Sequence, residues 1–221
     1  MKISKIIIPF LLLTSFVLMH NSLHKNAFDL GMSWTFSKAF PYILIFITAV
    51  LVSFQISRQL KNKGRVLSKT VGVVSFIIFC GVAFALNPIY EGDFNGSFEE
   101  VFISTEDINE NIIEDGLTMI ALPGCPFCYQ RTGTLNLLKQ RNKKLKIQVL
   151  FVSEDSMTIE SYKANLLPEI EVNVSSKGKL LSETVGGSFP AFLYKDSEKF
   201  IRFWKQINFG TQALDWLEAR N

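Results

Sequence analysis

Histidine is nearly missing from this chain: there are two, His20 and His24, and none follows them. Cysteine is scarce as well, with Cys80, Cys125 and Cys128 as the full set. A structural zinc site takes four ligands, and one copy of the chain cannot assemble them around Cys125 and Cys128. A copper chaperone would want a histidine beside those cysteines, and none is there. No metal and no other cofactor is expected. Acid is the third shortage, confined to one part of the chain. Residues 1–90 hold Asp29 against nine Lys/Arg, about +8; the remainder holds 14 basic and 19 acidic residues, about −5. The overall +3 therefore hides two regions of different chemistry. A mildly acidic second region without a basic stripe excludes a nucleic-acid partner.

What is plentiful is apolar. The chain is 48% hydrophobic, with 20 phenylalanines, and the excess gathers in three runs, at residues 3–19, 40–56 and 71–86. Each approaches the roughly 17–25 residues that cross a bilayer, and Lys5, near an end, is their single charge. Three spans are expected, at about 3–20, 40–56 and 68–88. The first could instead be a cleaved signal peptide, but "VLMHNSL" lacks the small residues that precede such a cut, so an uncleaved anchor is expected. Between the second and third runs, "SRQLKNKGRVLSK" carries Arg58, Lys61, Lys63, Arg65 and Lys69 and no acid. Basic loops stay cytoplasmic. The N-terminus then lies inside, residue 90 onward lies outside, and cleavage of the first run would not change the latter.

The stretch "NPIYEGDFNGSFEE", residues 87–100, is rich in Gly, Asn, Pro and acids, so 91–110 reads as a linker leaving the membrane and 111–221 as one exported domain. Strands are expected over 117–122, 146–153, 169–174, 191–194 and 199–204, the last two joined as a hairpin by "KDSE". Helices are expected over 126–142, 155–167 and 210–220. This alternation predicts an α/β fold with strands of mixed direction. Gly133, inside the first of these helices, costs about 1 kcal/mol with no visible reason.

The chemistry concentrates in "ALPGCPFCYQRTG", residues 121–133. Cys125 falls at the N-cap of a helix and Pro126 at its first position, where a missing N–H costs nothing. Free backbone N–H groups and the positive helix end favour a thiolate at Cys125. Cys128, one turn on and pointing inward, is placed to attack a mixed disulfide formed by Cys125. Cys125 then is the nucleophile and Cys128 the resolving thiol. A structural disulfide is the competing reading, since an exported compartment permits one. A two-residue gap, however, constrains little of the unfolded chain and gives no reason for the helix-start placement.

An apolar strand, a "GCPFC" at a helix start, and "SFP" opening a later strand together resemble thioredoxin-like proteins. The insert between the cysteines and Pro190 makes the chain more similar to the membrane-anchored TlpA/ResA branch than to compact thioredoxins. The resemblance implies a thioredoxin-like fold, a central mixed sheet flanked by helices, preceded here by three transmembrane helices. It implies that Pro190 is the cis-proline beside the active site and that the backbone of Phe189 pairs with a substrate polypeptide. Phe127, between the cysteines, and Tyr129 flank that groove, ordinary packing being the alternative for both. Trp204 and Trp216 read as core.

The chain departs from the family where a buried carboxylate usually precedes the cysteines: Met119 stands there. It also has Phe127 where oxidising members often place histidine, which leans the reading toward a reductase. CPFC is close to the glutaredoxin dipeptide, but the anchor and the insert argue against a glutathione enzyme. The three-span region is similar to small DoxX/MauE-type membrane modules. Cys80 stands alone in it, whereas passing two electrons needs a dithiol, so it reads as a small residue packing between helices. The sequence thus predicts a protein thiol–disulfide oxidoreductase of the inner membrane, multi-pass, with its C-terminal domain in the periplasm or outside. Its partners would be exported cysteine-containing proteins, a membrane electron donor and the bilayer. The alternative from another class is a non-catalytic membrane assembly protein that keeps the domain for binding.

Overall fold

The structure, a computed structural model, describes residues 4–101, 113–196 and 201–220. The chain divides into two compact units, Met1–Tyr90 and Glu91–Asn221.

The first unit is helical: α1 (Ser4–Leu18), α2 (His20–Asp29), α3 (Trp34–Leu60) and α4 (Arg65–Leu86), with a single 3-10 turn at Lys61–Lys63. The α3 and α4 helices are each long and apolar enough to cross a membrane. In the first run, where a span at about 3–20 was expected, α1 and α2 meet at a 74° bend and make at most one broken span. Two or three such helices are therefore present. The basic stretch 57–69 is mostly helical rather than looped: α3 runs to Leu60, the 3-10 turn follows, and α4 begins after Gly64, whose φ of 127° is open to glycine. Small residues let α3 and α4 approach. A β-carbon on Gly72 would stand 2.9 Å from the Cβ of Ser57, and the Ser57 and Ser68 hydroxyls lie 3.1 Å apart. Leu13, Ile45, Ala49, Val52 and Ala83 form the buried core of this unit.

The second unit is α/β. Its strands are β1 (Glu99–Val101), β2 (Gly116–Ala121), β3 (Ile147–Phe151), β4 (Glu171–Val174), β5 (Ala191–Lys195) and β6 (Ile201–Lys205); its helices are α5 (Pro126–Arg141), α6 (Ser156–Asn165), α7 (Gly178–Thr184) and α8 (Thr211–Glu218). The six strands form one sheet in the order β1-β6-β5-β2-β3-β4. The β2, β3 and β4 strands run parallel, while β5 is antiparallel to both β2 and β6, and β6 to β1. Parallel neighbours need a crossover, which α5 supplies between β2 and β3. Every residue of β2 after Gly116 is buried, as befits a central strand covered on both faces. On one face Ile120, Leu150, Ala191, Leu193 and Phe203 pack with Leu181 and Val185, at and just beyond α7. A β-carbon on Gly178, where α7 begins, would collide with the Val152 carbonyl oxygen. Elsewhere in the unit Phe192 stacks on Phe209, and Trp204 packs against Phe209 and Trp216.

Two elements differ from the sequence expectation. Only the part of the expected 91–110 linker up to residue 101 lies within the described residues, and that part is docked. Trp204 Nε1 donates to the Gly96 carbonyl at 3.1 Å, the Gly210 and Thr211 amides donate to Asn95 O and Asp93 O at 3.0 Å, and β1 closes the sheet edge. Helix α7 lies in a stretch where no element was expected. The expected hairpin pairs as β5–β6, Ala191 with Lys205 through Lys195 with Ile201; residues 197–200 of its turn lie outside the described residues.

Candidate active site

The apolar run of β2 ends at Ala121, and "LPGC" turns the chain into α5. The Cys125 amide donates to Leu122 O at 3.1 Å, closing that turn, with Gly124 at φ 75°. Pro126 occupies the first helical position and Cys125 the N-cap, in extended backbone conformation. The cap is a sulfur rather than an oxygen: the Cys128 amide donates to Cys125 Sγ at 3.2 Å. An orphan helix-start N–H thus points at the sulfur that would carry negative charge.

The two cysteines are free thiols in this structure and sit in different surroundings. Cys125 is half-buried, whereas Cys128 is completely covered. Burial, and after it the hydrogen bond with the Cys125 side chain, pushes the Cys128 thiol up to about 12.

The β5 strand enters at the same end of the sheet. Its pairing with β2 sets Ala191 opposite Ile120, so Pro190, one step earlier, falls level with Ala121 at the approach to Cys125. The Phe189–Pro190 bond is cis. Pro190 is buried, and the half-buried Phe189 packs against the core cluster of Ile120, Leu150 and Leu181. Phe127 stands in the open at 55% exposure, and Tyr129 at 43% sets its ring edge-on to Tyr162 at 5.3 Å. Leu122 adds a further exposed apolar group on the other side of the turn. Trp204 is fully buried within an aromatic cluster that includes Trp216. Met119 is fully covered.

The sequence did not single out Tyr162, whose hydroxyl donates to the Cys125 carbonyl oxygen at 3.2 Å. Its ring is buried against Phe151, edge-on at 4.9 Å. Burial first, then the neighbouring Cys128 and Cys125 sulfurs, raises its pKa above the usual phenol range, so it is held as a neutral donor. Helix α6, which carries it, is capped by Asp155, whose carboxyl accepts from the Thr158 hydroxyl and amide and is held below the usual range by them. A hydroxyl-tipped aromatic in a helix one insert away from the cysteines is the available sequence signal, and it does not name its partner.

Arg131, one turn past Cys128, is a nearby cation on α5; burial lowers its pKa and Asp93, from the docked segment, opposes this. Among the described residues no group of three or more His, Cys, Asp or Glu is placed to hold a metal ion. The arrangement provides one accessible sulfur at a helix N-terminus, a second sulfur buried behind it, and an apolar rim. Compared with protein-family models, with curated proteins and with solved structures, the chain finds no match in any of the three.

Proposed function

We propose that the chain is a membrane-tethered thiol–disulfide oxidoreductase that acts on exported proteins through a thioredoxin-like domain. The observation that carries this reading is the asymmetry of the cysteine pair: Cys125 half-exposed at the N-cap with an amide on its sulfur, Cys128 fully covered one turn behind. A structural disulfide has no use for that difference. Strand order supports the fold reading, with β2-α5-β3 parallel and β5-β6-α8 antiparallel around a central β2. The insert of α6, β4 and α7 between these halves suits the anchored branch of the family.

In the reductive direction the Cys125 thiolate attacks a substrate disulfide. The substrate S–S bond breaks, and the released sulfur leaves as a thiolate and takes a proton. Deprotonated Cys128 then attacks Cys125 Sγ, the mixed disulfide breaks, and the second substrate sulfur leaves and is protonated. Two electrons and two protons have passed to the substrate, and Cys125–Cys128 is now a disulfide. A dithiol donor associated with the membrane would reset it. Phe127 and the backbone at Phe189 and Pro190 line the groove for the substrate chain. Two or three spanning helices with basic residues at the α3–α4 turn favour an extracytoplasmic domain in the inner membrane.

The test is the reduction potential of the Cys125–Cys128 couple in the full chain, equilibrated against thiol buffers. A value near about −270 mV fits a reductase, and one near about −120 mV makes the protein a disulfide donor. Cys128→Ser should trap substrates as mixed disulfides on Cys125. Full cellular activity of a Cys125→Ser, Cys128→Ser double variant would instead favour a non-catalytic assembly protein.

A further inference from the structure

The segment between the cysteines and Pro190 brings α6 against α5, and polar bonds fasten the two helices along their length. Asn165 Nδ2 donates to Thr132 Oγ1 at 2.6 Å, Asn136 Nδ2 donates to Asn165 O at 2.8 Å, and Asn136 Oδ1 accepts from the Leu167 amide at 2.9 Å. At the cysteine end the fastening is the Tyr162 hydroxyl on the Cys125 carbonyl. That carbonyl also accepts from the Tyr129 amide at 3.2 Å, so it opens the helix and takes the tyrosine at once. Tyr162 thus reaches the backbone of the Cys125–Cys128 segment from a different helix.

Resting on the oxidoreductase reading, we infer that Tyr162 is a positioning residue for the cysteine pair: its hydroxyl fixes the Cys125 carbonyl and, by donating to it, draws negative potential off the backbone oxygen of the residue that bears the attacking sulfur. Its orientation is over-determined, because Phe151 and Tyr129 both meet the ring edge-on. The effect falls on one side of the redox couple. Charge on a sulfur exists in the dithiol form and vanishes when the Cys125–Cys128 bond forms, two electrons and two protons leaving together. A fixed donor dipole therefore favours the reduced protein and the attacking thiolate.

The experiment uses the full chain in lipid nanodiscs with Tyr162→Phe, which keeps the ring and removes the hydroxyl. The equilibrium constant for reduction by a glutathione buffer is expected to fall about three-fold, equivalent to about 14 mV. That is the lower end of what one neutral hydrogen bond is worth. Iodoacetamide alkylation of Cys125 at pH 7 should slow by a similar factor, with the thermal midpoint within a few degrees of the parent. A 3-fluorotyrosine at position 162, a stronger donor that keeps the fold, should move both readouts the opposite way. Unchanged potential and alkylation in Tyr162→Phe, or the same direction of shift in both variants, overturns the inference. Alkylation requires no turnover: a chain that never forms the Cys125–Cys128 disulfide but still shows the alkylation shift overturns the oxidoreductase reading and keeps Tyr162 in its role.

Discussion

The half-exposed sulfur of Cys125 and the covered sulfur of Cys128 differ most in how easily each gives up a proton. Cys128 is raised to about 12 by burial and by its bond to Cys125. Once Cys125 is tied up in a mixed disulfide, its contribution fades while burial stays. The resolving step should therefore speed up about tenfold per pH unit between about pH 6 and 8, with no plateau. Single-turnover decay of a mixed disulfide, followed by quenched gels, measures this, and a flat profile would show a hidden base. Stability carries the same signature. The folded-state pKa lies above the unfolded value of 9.0, so the thiol's contribution is whole below about pH 9 and lost as pH rises through about 12. Urea midpoints of the dithiol protein should fall across that window relative to Cys128→Ala.

Glycine separates two elements that sequence periodicity treats alike. On α5, Gly133 has nothing within 4 Å of where a β-carbon would stand, so its cost is not repaid by a close approach. Gly133→Ala should raise stability by about 0.5–1 kcal/mol. At the start of α7, Gly178 backs onto the Val152 carbonyl, and the same change there should cost about 2–3 kcal/mol. Chemical denaturation of both variants decides the pair. Elements with their own signal were legible: the apolar run that became β2, the proline-led α5 and the buried β3 lie within two or three residues of where they were expected. Helix α7 was not, because seven residues begun by a glycine hold together by packing Leu181 rather than by any pattern. Strand β1 is three residues of "EEV", stabilised by pairing with β6, and acids followed by a valine look like a linker. At the site, the cysteines announced themselves. The Tyr162 bond did not, because it depends on where an inserted helix docks.

At the scale of the whole chain, residues 3–19 have the composition of a span, and the helix through them breaks after Leu18, so α1 and α2 give a third span where the bent pair crosses as one. The second unit holds a polar stretch that is structural. Gly210 lies so close to the Gly92 and Asn95 carbonyls that no side chain fits between them, and Trp204 donates its indole N–H to the Gly96 carbonyl. A soluble domain begun at residue 111 should melt at least about 5 °C below one begun at Glu91, through lost hydrogen bonds and an uncovered Trp204. Equal melting temperatures by circular dichroism would show the segment to be dispensable.

Amides hydrolyse with time, and Asn142 is where this domain would feel it most. The residue follows α5 directly, is buried, and its Nδ2 donates to the carbonyls of Leu217, Glu218 and Arg220 while its Oδ1 accepts from the Lys144 and Leu145 amides. Deamidation would replace the nitrogen by a charged oxygen aimed at three other oxygens, unfastening α8 from the helix that bears the cysteines. Burial that keeps water from the amide is what delays this, so the protein's working lifetime is tied to how seldom that corner opens.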